Sequence, residues 1–168
     1  MADLRKLGLV LVLLAVAGCT DRFGGGGSDG AGGAGAIGGL GSPSDVTSPA
    51  YFQQTIGDRV LFEVDQSTLG EGARVTLDGQ ARWLLDNPEY AARIEGHADE
   101  RGTTEYNIAL GARRANAVQE YLFAQGVSIN RLQTVSFGKE RPLEICSDES
   151  CYSQNRRAVT VLTAGAGS

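Results

Sequence analysis

Three polar side chains lie close together in a stretch that joins a predicted strand to a predicted helix. They are Asp99, Arg101 and Thr103, and the free N–H groups at the start of the helix add a site that favours an anion. Asp99 can accept hydrogen bonds from an ammonium group, whereas Arg101 and Thr103 can donate to a carboxylate. The stretch could therefore bind an amine and a carboxylate together. Amino-acid head groups carry that pairing, and so does the side-chain end of diaminopimelate in cell-wall peptides.

A further arginine belongs to the same group of residues. Arg114 follows Leu110 by four positions and precedes Val118 by four, so it lies on the apolar side of the predicted helix. A guanidinium on that side needs an anionic partner or a route to water. Spacing alone leaves two alternatives open, a ligand site or an internal ion pair between Asp99 and Arg114.

The elements that must position these residues alternate between strand and helix. Apolar patterns and breakers predict strands over 59–64, 91–97, 132–137 and 157–162, helices over 72–87 and 104–125, and a loop over 138–152. The apolar positions of the first helix are Val75, Leu84 and Leu85, and Trp83 is most simply a core residue. The order β-α-β-α-β-loop-β predicts an α/β (α+β) domain of two layers, with the helices on one face of the sheet.

The amino-terminal segment has the features of a secretory signal. Arg5 and Lys6 precede an apolar run, Leu7 to Ala17, that is too short to span a bilayer comfortably. The tetrapeptide that ends at Cys19, VAGC, then resembles the lipobox of bacterial lipoproteins. That resemblance implies that the signal is removed and that Cys19 carries an S-diacylglycerol group and an N-acyl chain, with no other cofactor. The alternative is an ordinary signal peptide with an incidental cysteine.

Composition divides the remainder into a tether and a folded part. Residues 20–50 are rich in Gly and poor in large apolar residues, which predicts a flexible tether. The predicted divisions are a signal peptide at 1–18, the lipidated cysteine and tether at 19–50, a folded domain at 51–163 and a disordered tail at 164–168. The formal net charge of −5 argues against nucleic acid as the main partner, because phosphate binding requires a basic surface.

The chain has three cysteines, and lipidation of Cys19 leaves two of them. Cys146 and Cys151 are close in sequence and lie in the predicted loop, which favours a disulfide in an oxidising compartment. The alternative is a metal site, but two cysteines without nearby ligands rarely form one. We therefore expect a disulfide and no metal.

Four longer motifs carry a family resemblance. They are GHADERGTxEYN from residue 96, LGxRRAxxVxxYL from residue 110, SFGKExP from residue 136 and SxNRRAV from residue 153. Together they resemble the OmpA-like peptidoglycan-binding domain, in the form found in peptidoglycan-associated lipoproteins, over residues 55–163. The resemblance implies a mixed sheet with two main helices on one face, and non-covalent binding of the peptidoglycan stem peptide without catalysis.

The same resemblance implies where the protein acts. Members tether the outer membrane to the cell wall as part of the Tol system, which supports envelope integrity and cell division. The implied partners are peptidoglycan and TolB, a periplasmic propeller protein, with other Tol components. Thr20 follows Cys19, in place of the Asp that resembling lipoproteins use to stay in the inner membrane. We therefore expect the lipid anchor to lie in the outer membrane, with the domain facing the periplasm.

The resemblance also assigns ligand contacts residue by residue. Asp99 matches the aspartate that binds the amine of diaminopimelate, and Arg114 matches the arginine that binds its carboxylate. The family's first strand usually ends Phe-x-Phe-Asp, whereas this chain has Val64 before Asp65, so apolar contact there should be weaker or differently shaped. The remaining implied contacts are Arg101, Thr103 and Leu110.

An enzyme that acts on peptidoglycan is the main alternative function. Glu95, Asp99 and Glu100 supply carboxylates, and a pair of carboxylates can hydrolyse glycosides. His97 could act as a general base, although a lone histidine at a strand end is more often a hydrogen-bonded structural residue. We expect no residue to be catalytic. A third class is a flagellar-stator-like or porin-type protein with the same domain, which would need a transmembrane helix or a long barrel ahead of it.

Two consecutive arginines, Arg156 and Arg157, precede the last predicted strand. They could form a basic patch that contacts the polymer. Their position after Asn155, at the entrance to a strand, is more consistent with support of the preceding loop through ion pairs. Ion pairing with the loop is the interpretation we adopt.

Overall fold

The structure, a computed structural model, describes residues 39–164. The predicted signal peptide, Cys19 and the tether before residue 39 lie outside the described residues, as does the predicted tail from residue 165 onward. No helix within residues 39–164 combines the length and the apolar character that crossing a membrane requires.

Within the described range, four strands form one mixed sheet. They are β1 (Arg59–Leu61), β2 (Tyr90–His97), β3 (Leu132–Gly138) and β4 (Arg157–Ala164), in the spatial order β1-β4-β2-β3. β4 runs antiparallel to β1 and β2, whereas β2 and β3 are parallel. A connection between parallel strands must cross over the sheet, and a helix makes it here. The predicted α+β class with a mixed four-stranded sheet is confirmed.

The same part of the chain has four α-helices, α1 (Pro49–Tyr51), α2 (Glu71–Asp86), α3 (Thr104–Ala124) and α4 (Glu149–Asn155). A π-helical turn, Phe52–Gly57, extends α1, and a 3-10 turn, Ile129–Arg131, leads into β3. The apolar faces of α2 and α3 pack with the sheet into one core, which provides most of the hydrophobic stabilisation. That core includes Phe52, Leu77, Leu84, Ile94, Val118 and Leu122.

Glycines let α3 lie close to the sheet. A Cβ atom on Gly96 of β2 would lie 1.8 Å from the backbone oxygen of Gly111 in α3, so no larger residue fits there. Gly138, at the end of β3, has a positive φ of 50°, and a Cβ atom on it would lie 2.9 Å from the backbone nitrogen of Ile108. These approaches fix the first turns of α3 beside the ends of β2 and β3, where the predicted site residues lie.

Two predictions about these elements are wrong in detail. β1 ends at Leu61 rather than at residue 64, because the chain leaves the sheet before Asp65, which has a positive φ of 58°. In α2 the predicted apolar positions Val75 and Leu85 are 67% and 46% exposed. The face that α2 buries is spaced by three and four residues, as helical geometry requires, and consists of Leu77, Gln80, Ala81, Trp83 and Leu84. The other predicted elements agree with the structure to within one or two residues.

Two short helices are not predicted from the sequence. α4 occupies the end of the predicted loop and is capped by Asp148, whose carboxylate accepts from the backbone N–H of Ser150 at 2.9 Å. α1 lies across the predicted domain boundary at residue 51, and the indole N–H of Trp83 donates to the carbonyl of Val46 at 2.7 Å. The folded unit therefore includes residues that composition assigns to the tether.

The predicted disulfide joins Cys146 to Cys151. It ties α4 to the loop that precedes it. Replacing both cysteines with serine should lower the free energy of unfolding by only about 2 kcal/mol, because the bond closes a short loop. Urea denaturation measures this, and reduction of the unmodified protein should produce the same decrease. An unchanged midpoint under both treatments would show that the bond does not contribute to stability.

Candidate functional site

A cavity of about 280 Å³ opens between three segments, the chain after β1, the loop after β2 and the first turns of α3. Six of the seven residues predicted to contact a ligand line it, namely Val64, Asp65, Asp99, Arg101, Leu110 and Arg114. The seventh, Thr103, caps α3, and its hydroxyl accepts from the backbone N–H of Tyr106 at 3.2 Å. The structure therefore brings together six residues that span 51 positions of sequence, from 64 to 114.

Asp99 is 8% exposed and is held by two arginines. Its Oδ1 accepts from the backbone N–H of Arg101 at 3.2 Å, and its Oδ2 accepts from the guanidinium of Arg101 at 2.7 Å and that of Arg156 at 3.3 Å. Burial alone would raise the pKa of Asp99, but the hydrogen bonds and charge of Arg101, with Arg156, lower it. Asp99 is therefore ionised at neutral pH, and among the described residues Oδ1 accepts only the bond from the backbone N–H of Arg101, which leaves it a free acceptor position.

Arg114 is fully buried and joins three segments of backbone. Its Nε donates to the carbonyl of Gln66 at 2.8 Å, its Nη1 to that of His97 at 2.8 Å and its Nη2 to that of Glu63 at 3.1 Å. Burial lowers the pKa of Arg114 to about 10, so the group stays cationic at neutral pH. A guanidinium has five N–H donors, and within the described part of the chain two of them remain after these three bonds.

These contacts argue against one of the two alternatives left open for Arg114, the internal ion pair with Asp99. The ion pairs of Asp99, among residues 39–164, are with Arg101 and Arg156 rather than with Arg114. The expectation that Arg114 needs an anion or water is also corrected, because backbone carbonyls supply its acceptors. The charge of Asp99 still stabilises the cationic form of Arg114 across the cavity.

Three cavity residues were not singled out from the sequence, although the motif GHADERGTxEYN contains all of them. Tyr106 donates its hydroxyl to Asp65 Oδ1 and so closes one side of the cavity. Asn107 is 1% exposed and donates to the carbonyl of Arg101 at 2.8 Å. Gly102 has a positive φ of 89°, a conformation that a larger residue adopts only with strain. Asn107 and Gly102 thus shape the loop that presents Asp99 and Arg101.

His97 is buried, but its ring is not hydrogen-bonded as predicted. Within the described part of the chain, neither ring nitrogen has a hydrogen-bond partner, and the ring stacks on Phe137 with centroids 5.6 Å apart. Burial, and then the charges of Arg157 and Arg141, lower the pKa of His97 to about 4. Its role is packing, and its side chain does not line the cavity.

The buried, neutral state of His97 predicts a pH dependence of stability. The unfolded chain binds a proton at a pKa near 6.5 and the folded chain only near 4, so stability falls as pH drops from 6.5 towards 4. The loss over this window should reach about 3 kcal/mol. Urea denaturation at pH 7 and pH 5 should show that His97→Phe reduces this dependence. If the free energy of unfolding changed by the same amount between pH 7 and pH 5 in the parent and in the variant, His97 would not be the source of this pH dependence.

The two consecutive arginines are buried rather than presented to solvent. Arg156 is 3% exposed and forms ion pairs with Asp99 and Glu149, which confirms the predicted ion pairing. Arg157 instead donates to the carbonyls of Asn155 and Arg141. Both side chains hold the segment around α4, so they do not form a basic patch.

Two of the carboxylates considered for catalysis, those of Glu95 and Glu100, lie outside the cavity. Glu95 accepts from the guanidinium of Arg93 at 2.7 Å, and Glu100 accepts from the hydroxyl of Tyr152 at 3.0 Å. Neither lines the cavity. The two carboxylates that do, those of Asp65 and Asp99, already accept hydrogen bonds from other cavity residues.

Comparison with known proteins identifies the relatives of this chain. The profile of the OmpA family matches residues 61–156. The chain is 49% identical to the peptidoglycan-associated lipoprotein of Mesorhizobium japonicum over 95% of this chain and 91% of that protein. It is 57% identical to the peptidoglycan-associated lipoprotein of Rhizobium meliloti over 70% of this chain. That match spans 66% of the relative, slightly under two thirds of the length of that protein.

Solved structures agree with these relationships. The crystal structure of the peptidoglycan-associated lipoprotein from Burkholderia pseudomallei has a TM-score of 0.64 and 36% identity, and covers 72% of this chain and 98% of that one. The C-terminal domain of Helicobacter pylori MotB shares the fold alone, with a TM-score of 0.60 and 20% identity over 65% of this chain and 86% of that one. The chain therefore belongs to the OmpA family and, within it, to the peptidoglycan-associated lipoproteins.

Proposed function

We propose that this domain binds peptidoglycan non-covalently, through the diaminopimelate residue of the stem peptide. The charge pattern of the cavity supports this most strongly. Two carboxylates, of Asp65 and Asp99, and two guanidinium groups, of Arg101 and Arg114, line a single space of about 280 Å³. The side-chain end of diaminopimelate carries one ammonium and one carboxylate, so the cavity offers a partner to each charge.

The free hydrogen-bonding positions give the ligand an orientation. The ammonium group binds the open acceptor position of Asp99 Oδ1, on the side of the loop. The carboxylate binds the two N–H groups of Arg114 that the backbone carbonyls leave free, with Arg101 nearby. The methylene chain lies against Leu110, which is 5% exposed, and Val64, which is 49% exposed. Val64 provides less surface than the aromatic residue usual in the family.

The same geometry is why we propose binding without catalysis. A glycosidase needs one protonated and one ionised carboxyl group on either side of the scissile bond. The pKa of Asp99 is lowered in spite of its burial, so Asp99 does not serve as the acid at neutral pH. The hydroxyl of Tyr106 donates to Asp65, which holds that carboxylate as an acceptor.

Purified peptidoglycan sacculi test this function directly. The detergent-solubilised protein should co-sediment with sacculi and should release no soluble fragments from them during prolonged incubation. Failure to co-sediment would overturn the binding function. Release of soluble sugar or peptide fragments would instead support the hydrolase alternative.

The relatives are lipoproteins by name, and the lipobox supports the same anchor here. We propose that residues 1–18 are a cleaved signal peptide and that Cys19 carries the lipid. The segment after it then tethers the domain to the outer membrane, facing the periplasm. Two or more acyl chains hold a protein on a membrane essentially permanently. The anchored domain then links the outer membrane to the cell wall within the Tol–Pal system and supports envelope integrity and cell division.

Replacing Cys19 with serine should remove this anchor. We expect either a soluble protein or an uncut precursor, because the lipid is attached to the thiol before the signal is removed. Fractionation of cell envelopes and mass measurement of the product distinguish the two. A mutant that is processed and bound to the outer membrane like the parent would contradict a lipid on Cys19.

The proposed protein partner is a TolB-like periplasmic propeller, on the analogy of the family. Affinity capture from an envelope extract with the protein as bait should recover such a propeller. Recovery of wall fragments alone, in repeated experiments, would argue against this partner.

A further inference from the structure

A buried arginine lies behind Asp99, outside the lining of the ligand cavity. Arg156 is 3% exposed, and its guanidinium has three acceptors in three directions. Nε donates to the carbonyl of Phe62 at 3.1 Å, Nη1 to Asp99 Oδ2 at 3.3 Å and Nη2 to Glu149 Oε1. Arg156 therefore connects the carboxylate that faces the ligand with a second carboxylate on α4.

α4 also contacts the other charged residue of the loop. Glu149, in the first turn of α4, lies 3.9 Å from the guanidinium of Arg101. The ring of Tyr152 lies under that guanidinium, 4.6 Å from its central carbon, a distance at which a cation and an aromatic ring attract. The disulfide is attached to α4 at Cys151, in the first turn of the helix. One short helix thus contacts both Arg101 and Arg156, the two side chains that hold Asp99.

We propose that Arg156 is a positioning residue, which together with Glu149 orients the Asp99 carboxylate for the ammonium group of the ligand. This rests on the proposed function. The guanidinium of Arg156 engages Oδ2, which leaves the free acceptor position on Oδ1. Glu149 and the carbonyl of Phe62 fix the guanidinium plane in turn. A planar fork with fixed donor directions can hold three such acceptors, whereas the ammonium of lysine cannot reproduce the geometry.

The neighbouring Arg157 provides a matched control. Both arginines are buried at the start of β4 and donate to backbone carbonyls, but no hydrogen bond or ion pair within residues 39–164 joins Arg157 to Asp99. We expect Arg156→Lys to bind a stem tripeptide containing meso-diaminopimelate about tenfold more weakly than the parent, within the range that outer partners contribute at metal sites. Arg157→Lys should bind as the parent does. Isothermal calorimetry with the detergent-solubilised protein measures both.

A second readout separates positioning from general stability. Titration of the Asp99 carboxyl carbon by NMR reports the hydrogen bonds to that group. Arg156→Lys should raise the pKa of Asp99 relative to the parent, whereas Arg157→Lys should leave it unchanged. If Arg156 had a purely structural role, both variants would melt at a lower temperature, and the pKa of Asp99 would be unchanged in both.

The outcomes distinguish the two proposals. A parent that does not bind the tripeptide would overturn the proposed function. A parent that binds, with a folded Arg156→Lys that binds equally and an unmoved Asp99 titration, would overturn only the positioning role. If Arg156→Lys does not fold, Glu149→Gln decides, because that side chain is 60% exposed and its replacement should not unfold the protein. Glu149→Gln should bind more weakly than the parent, and binding at full strength would contradict the proposal.

Discussion

Replacing Asp99 with asparagine should remove most of the affinity of this protein for peptidoglycan. Asparagine keeps the shape of the side chain but not the charge that the ammonium group of the ligand requires. Loss of one partner from a partly desolvated charge pair typically costs about 2–5 kcal/mol, which corresponds to a loss of at least about thirtyfold in affinity. Sedimentation with purified sacculi over a range of protein concentrations measures this loss.

The adjacent acid in the same loop is the control for this substitution. Glu100 does not line the cavity, and its carboxylate accepts from the hydroxyls of Ser147 and Tyr152. Glu100→Gln should therefore bind sacculi like the parent. If Asp99→Asn melts cooperatively and still co-sediments like Glu100→Gln, the ligand does not bind at this cavity.

Replacing Arg114 with methionine should destabilise the fold more than removal of the disulfide does. The carbonyls of Glu63, Gln66 and His97 would lose their donor in a buried setting, and each unsatisfied group costs about 1–3 kcal/mol. We expect the free energy of unfolding to fall by about 3–5 kcal/mol, the scale at which removal of a buried charged partner destabilises proteins. Urea denaturation measures the decrease.

The adjacent exposed arginine is the matched control. Arg113 is solvent-exposed on α3, and Arg113→Met should change stability by less than about 0.5 kcal/mol, as surface substitutions usually do. Equal stability of the two variants would show that the three carbonyl contacts of Arg114 contribute little. If the prediction holds, weaker wall binding by Arg114→Met cannot by itself assign a ligand contact, and Asp99→Asn is the more informative variant.

Local signals in the sequence were sufficient to predict the helix and strands that position the site. The length of α3 follows from Thr103 at its start and Gly126 after its end, because a hydroxyl cap and a glycine with positive φ mark helix termini. Four of the residues that line the cavity, Asp99, Arg101, Leu110 and Arg114, followed from the motif around Asp99 together with that around Arg114. Both signals are contiguous in sequence, which is why they could be recognised without a structure.

Contacts between distant segments could not be predicted in this way. The acceptors of Arg114 are backbone carbonyls up to 51 positions away, and a carbonyl carries no residue-type signal. The pairing of Arg156 with Asp99 spans 57 positions, so the sequence indicated ion pairing but not the partner. α4 is seven residues long and polar, too short for apolar periodicity to show.

Binding of two matched stem peptides tests the central claim most directly. One tripeptide contains meso-diaminopimelate and the other contains lysine at the same position, so they differ by the carboxylate at the end of that side chain. Because Asp99, Arg101 and Arg114 line one cavity, which offers a partner to the ammonium and to the carboxylate, calorimetric titration of the protein should show binding of the diaminopimelate peptide and little or none of the lysine peptide. Equal binding of the two peptides, or binding of neither, would contradict recognition of diaminopimelate at this site.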